Sequence, residues 1–199
     1  HVVIVYGGVS SLDFGSAARV YWTFKTIGHE NVSILNGGFK GWANGGNKVA
    51  TGENSITPAN FKTKLNKKYF ASFSEVQKAQ KGKGQQCLID ARPAAFFTGD
   101  KKHAKARIPG RLANARKLKE GNLIDDSFKM KSSSAIKSQF GGLDGIEQYK
   151  GYISYCNTGH WAATVWFGLS EIAQIPNVKM YDGGMTHWTS NPKRKVDLG

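Results

Sequence analysis

The stretch Gly151 to Ala163, "GYISYCNTGHWAA", reads as a strand, a small polar loop and the first turn of a helix. Its loop residues Asn157, Thr158 and Gly159 are turn formers that end the apolar run. The segment behind it carries Val165, Leu169 and Ile172 at helical spacing. A strand that feeds a helix in this way is half of a βα unit, and such units build parallel sheets. Ligands bind such sheets beyond the carboxyl ends of the strands, which is where Tyr155-Cys156 sits.

A second copy of the pattern lies at the start of the chain. "VVIVYGGVSS" also ends an apolar strand in a tyrosine, and "AARVYW" parallels "AATVWF" in the helix that follows. Val20, Phe24 and Ile27 are the apolar stripe predicted there. A short strand and "NGGFKGW" (36–42) or "DGGMTHW" (182–188) close each copy. Tyr6 and Asn36 are 30 residues apart, Tyr155 and Asp182 are 27 apart, and the difference falls in the first loop. Aligned on its tyrosine, the first copy has Gly7 opposite Cys156, so the first copy has no thiol there.

The second copy has more in front of it. "TPANF" (57–61) leads in, and "SFSEVQKAQ" (72–80) is a helix opened by Ser72 with Glu75 in capping-box position. "QCLIDAR" (86–92) is a buried strand, "IPG" (108–110) a turn, and "SSSAIKSQF" (132–140) another capped helix. No counterpart of these exists in the first copy. Residues 1–54 are therefore expected to be the rear half of one domain plus a linker, and 55–199 a whole domain. "ANGGNKVATGENS" (43–55) has the composition of a linker. Because His1 opens inside an apolar strand, the exposed edge formed by Val2, Val3, Ile4 and Val5 is expected to be completed by preceding residues or by a second polypeptide.

Composition narrows the partners. The chain has 199 residues, 40% of them apolar, with 11 Phe, 7 Tyr and 5 Trp, which is enough to bury a core. No run of about 18 apolar residues is present to span a membrane. The formal charge is +14, a field that draws anions to the surface. Its lysines and arginines are scattered over "KTKLNKK", "KGKG", "KKHAKAR", "ARKLK", "KMK" and "PKRK", without any zinc-finger, RNP or basic-heptad pattern. A small anionic substrate is thus favoured over nucleic acid. Two cysteines, Cys87 and Cys156, make no disulfide framework and no metal-ligand spacing, and no cofactor is called for.

Chemistry concentrates in Cys156-Asn157-Thr158-Gly159-His160-Trp161. A sulfur at the head of this loop faces backbone N–H groups and a helix N-terminus, which are expected to lower its pKa and to cradle an anionic group. Gly159 lets the loop curl, and the Thr158 hydroxyl adds a donor. Asp90 and Arg92 follow a strand on the same side and are expected to pair and brace the loop. Asp182 is expected to turn back on "GGM". His103 and His187 read as surface residues, and Cys87 as a packed thiol. Cysteine phosphatases place an arginine six residues after the nucleophile, whereas here that residue is Ala162.

These motifs, in this order, resemble the tandem-domain rhodaneses, the thiosulfate and 3-mercaptopyruvate sulfurtransferases. The resemblance rests on "LIDARPAAFFTGD", "IPG", "CNTGHW" and "YDGGMTHW" in the second copy, and on "ARVYWTFKTIGHENVSILNGGFKGW" in the first. It implies an α/β fold: a catalytic rhodanese-like domain with a central parallel sheet flanked by helices, preceded by the rear half of an inactive one. It also implies a sulfurtransferase in which Cys156 takes a sulfane sulfur from an anionic donor and hands it to a thiophilic acceptor, cyanide or a thiol. Asn157, Thr158, Gly159, His160, Trp161 and Arg107 are then the substrate-binding set, Arg107 because the family keeps substrate-binding arginines near that turn. The loop lacks both the basic residues of thiosulfate-preferring members and the Gly-Ser-Gly core of mercaptopyruvate enzymes. The alternative is a non-catalytic rhodanese-like binding module.

Overall fold

The computed structural model describes residues 1–55 and 57–199. The first copy forms strand β1 (Val2–Ile4), helix α1 (Ser11–Thr26), strand β2 (Val32–Ile34) and helix α2 (Gly38–Asn44). After the linker, residues 57–66 run without regular secondary structure. The second copy then contributes α3 (Phe73–Gln80), β3 (Gln86–Asp90), α4 (Ala94–Thr98), β4 (Arg116–Lys117), α5 (Ser133–Gly141), β5 (Gly151–Tyr155), α6 (His160–Phe167), β6 (Val178–Met180) and α7 (Gly184–Thr189).

All strands pair in parallel, as alternating strands and helices require. The first copy makes a two-stranded sheet, and the second a four-stranded sheet in the order β4-β3-β5-β6. In that sheet Asp90 sits beside Tyr155 in register, which brings the ends of β3 and β5 to the same rim. Every residue of β5 is buried, as befits a central strand covered on both faces.

Local chemistry sets the helix starts. In α3, the Glu75 N–H donates to Ser72 Oγ (3.3 Å) while Ser72 N–H donates to Glu75 Oε2 (2.8 Å), a complete capping box. Ser132 caps α5 through the Ala135 N–H. Ser10 caps α1 by accepting from Asp13 N–H at 3.1 Å.

The two sheets share one core. Phe14, Ala17, Ala18, Tyr21 and Trp22 of α1 join Val165, Trp166 and Phe167 of α6 in a continuous apolar cluster. The predicted stripe of α1 is rotated, and Val20 lies exposed. The cause is the small residues on the neighbouring face. At Gly15 a Cβ would stand 3.1 Å from the His160 carbonyl oxygen and 3.2 Å from Thr164 Oγ1, so the helices meet where α1 has no side chain. On the far side of the small sheet Val3, Val5, Phe39, Trp42 and Val49 are exposed around an apolar groove.

Strand registers correct the alignment of the two copies. Ile4 pairs with Ile34, as Ser154 pairs with Met180. Phe39 N–H donates to the Tyr6 carbonyl (2.7 Å) and Lys40 N–H to Gly7 (3.0 Å), as Met185 N–H donates to Cys156 (2.8 Å) and Thr186 N–H to Asn157 (3.3 Å). Tyr6, not Gly7, therefore stands where the second copy has Cys156. Pairing Tyr6 with Tyr155 puts the two copies out of step by one residue.

Candidate active site

Cys156 is buried at the carboxyl end of β5. Gly159 N–H donates to its Sγ at 3.0 Å. Gly159 holds φ at 103°, a conformation open to glycine, and this bends the chain so that the amide faces the sulfur.

The thiol pKa nevertheless departs from expectation. Burial pushes it up, and the amides of Ala162, Gly159 and Thr158 pull it only part of the way back, with the nearby Asp90 carboxylate opposing them. In the resting protein desolvation outweighs the loop dipoles, so Cys156 rests as a thiol. The Cys87 thiol, inside β3, is pushed up to about 11 by burial and donates to the Leu88 carbonyl at 3.5 Å.

Beside the loop lies a buried ion pair. Arg92 donates from Nε to Asp90 Oδ1 (2.9 Å) and from Nη2 to Asp90 Oδ2 (2.6 Å), and Nη2 also donates to the Gly110 carbonyl (2.9 Å). Its Nη1 donates to Asn157 Oδ1 at 3.3 Å. That bond orients the Asn157 amide, whose buried Nδ2 has no hydrogen-bond partner among the described residues. A donor without an acceptor is held in the cysteine loop.

A cavity of about 240 Å³ opens onto the sulfur. It is lined by Cys156, Asn157, Thr158, His160, Trp161, His103, and by Leu12 and Ser16 of α1. The site thus lies in the cleft between the copies. Phe96 packs edge-on against Trp161, with ring centroids 5.8 Å apart. His160 is held neutral, its pKa lowered first by burial and then by the Arg19 guanidinium, against the pull of Asp182.

Several residues stand elsewhere than the sequence suggested. Arg107 is exposed, lies outside the cavity lining, and uses its backbone N–H to donate to Thr189 Oγ1 (2.9 Å). Asp182 sits in the turn before α7, but among the described residues its carboxylate makes no hydrogen bond to "GGM" and instead pairs with Arg19. His103 belongs to the lining rather than to open surface. Leu12, Ser16 and Arg19 were missed because they belong to the copy without the thiol. One signal was present, since the aligned helices read "AARVYW" and "AATVWF" and put a cation, Arg19, in the place of Thr164.

The family profile that describes the Rhodanese-like domain matches residues 72–191, more than half of the chain. The chain belongs to the rhodanese family. It is similar to thiosulfate sulfurtransferase of Gallus gallus, 30% identical over 98% of this chain and 66% of the relative. A 3-mercaptopyruvate sulfurtransferase of Escherichia coli K12 is also 30% identical, over 92% of this chain and 64% of its own length. The chain therefore spans about two thirds of the curated relatives it matches. Among solved structures, an anaerobic ergothioneine biosynthesis enzyme from Chlorobium limicola shares the fold over 99% of this chain and 51% of its own, with a TM-score of 0.84 at 17% identity.

Proposed function

We propose that this rhodanese chain is a sulfurtransferase and that Cys156 carries the sulfur as a persulfide. The observation that supports this most is the sulfur itself, set at the base of a cavity with the Gly159 N–H on its Sγ. The donor is thiosulfate or 3-mercaptopyruvate, and the acceptor is cyanide or a thiol.

In the first step the Cys156 thiol loses its proton. His160, neutral and in the same cavity, is available to take it. The thiolate attacks the donor's terminal sulfur, a new S–S bond forms, and the S–S bond of thiosulfate or the C–S bond of 3-mercaptopyruvate breaks. Sulfite leaves from thiosulfate, or the enolate of pyruvate from 3-mercaptopyruvate. In the second step the acceptor attacks the outer sulfur, and the Cys156 thiolate departs. Sulfur moves as a neutral atom, so no outside oxidant or reductant is required. The loop amides and the unpartnered Asn157 Nδ2 are donors placed before the reaction, and they need no reorganisation to receive charge.

Mass spectrometry of the full chain after exposure to each donor tests the reading. A gain of one sulfur, lost on adding cyanide and absent in Cys156→Ser, is the expected result. No adduct with either donor would leave the chain as a binding module.

A further inference from the structure

We propose that Arg19, on the helix of the copy that has no thiol, is a positioning residue for sulfur transfer at Cys156, clamping Gly159 to Asp182 from behind the loop. The proposal rests on the sulfurtransferase reading and extends it to a residue outside the catalytic copy.

Three contacts of one guanidinium carry it. Nη2 pairs with Asp182 Oδ1. Nη1 lies so close to Gly159 that a Cβ there would collide with it. The planar group also lies 5.3 Å from the Trp22 ring centroid, which anchors it to α1. Gly159 supplies the N–H that reaches the sulfur. Asp182 immediately precedes Gly183-Gly184, and the next two amides, of Met185 and Thr186, hold the carbonyls of Cys156 and Asn157. Arg19 thus joins the two segments that fix the loop, Gly159 within it and the turn that opens α7.

A plain surface salt bridge would not merit this role. The Arg19 and Asp182 side chains are 27% and 38% exposed, and a pair so accessible contributes little to stability. The burial inside the pair is uneven, however. Nη1 is fully covered and has no hydrogen-bond partner among the described residues. A buried guanidinium donor left unpaired against the back of a glycine is better suited to shaping that loop than to holding the fold.

The cation also acts on charge. His160 is faced by Arg19 from α1 and by Asp182 from the segment after β6, and it shares its cavity with His103 and the Cys156 thiol. After burial, the Arg19 guanidinium is what disfavours a proton on His160. It keeps that imidazole available as a base.

Arg19→Gln and Arg19→Lys, made in the full chain, test the inference. Three measurements are taken: single-turnover persulfide formation with thiosulfate and 3-mercaptopyruvate, Cys156 alkylation by iodoacetamide, and the His160 titration by NMR. In Arg19→Gln, persulfide formation is expected to fall roughly ten- to a hundredfold, in the saturating single-turnover rate more than in the half-saturating donor concentration, because the loop amide is misplaced. His160 is expected to titrate higher. Arg19→Lys keeps the charge without the planar fork, so its His160 titration should stay near wild type while the rate recovers only in part. A folded Arg19→Gln with wild-type rate, alkylation and titration overturns the proposal. Should the wild type form no persulfide, the sulfurtransferase reading fails by itself, and Arg19 is judged on alkylation and titration: change in both supports it, change in neither overturns it. If Arg19→Gln does not fold, the pair exchange Arg19→Asp with Asp182→Arg decides, because restored folding with a slowed loop supports positioning and a restored rate overturns it.

Discussion

Cys156 and Tyr6 end equivalent strands, and the loops that follow use their backbone amides in opposite ways. Behind Cys156 the Gly159 N–H reaches the sulfur, and a cavity stands in front. Behind Tyr6 the corresponding space is filled from within. The Gly8 and Val9 N–H groups donate to Asp13 Oδ2 at 2.8 and 3.3 Å. The Tyr6 hydroxyl receives the Gly37 N–H at 2.8 Å and donates to the Phe128 carbonyl at 2.7 Å. One strand-loop-helix frame is thus either open to a ligand or closed on its own side chains. What differs is which group satisfies the loop.

The comparison can be broken most directly at the sulfur. Cys156→Ser should leave the fold in place and reduce sulfur transfer by more than about a thousandfold, since the hydroxyl cannot carry sulfur. Transfer surviving in that variant, measured as thiocyanate formed from thiosulfate and cyanide, would move the chemistry elsewhere. The next largest effect is expected at Arg92. The Arg92 and Asp90 side chains are buried, 2% and 0% exposed. Arg92→Met would strand the carboxylate and cost about 3–5 kcal/mol, read as a lower urea midpoint. It would also release the Asn157 amide.

Tyr6→Cys puts a thiol in the closed loop. Removing the buried ring should cost about 3 kcal/mol, and the new thiol should form no persulfide while Asp13 holds the amides. A persulfide at residue 6 would show that the loop carboxylate is not what closes it. The smallest effect is in pH. Cys156 titrates higher in the folded chain than in the unfolded one, so its stabilisation is present below about pH 8.5 and is lost as the pH climbs through the folded value. Above about pH 8.5 the wild type should lose stability with rising pH more steeply than Cys156→Ser, read as urea midpoints across that range. Alkylation of Cys156 should still be rising at pH 9.

Much of this was legible in the chain. Ser72 with Glu75, the Gly-rich closures at 36–42 and 182–188, and the alternation of strands with helices are local signals, and they place α3, α7 and the parallel sheets. Cys156 declared itself by contrast with its partner copy. What could not be read was set by packing. The pKa of Cys156 depends on how much apolar matter covers it, and no motif encodes that. The tilt of α1, which exposes Val20, follows from Gly15 meeting α6. Arg19 reaches the site across the cleft from the copy without the thiol, and His103 reaches it from a basic run that reads as open surface.

The meeting of α1 with α6 also bears on what happens when the chain is cut. Residues 45–55 are exposed and carry no helix or strand, the kind of segment proteases nick first. Yet Phe14, Ala18, Tyr21 and Trp22 are sealed into the core formed by the other piece. A nick there would sever the covalent link and leave two fragments that travel together through a sizing column. Expressed separately, those fragments would serve as a complementation pair whose reassembly rebuilds the sulfur loop.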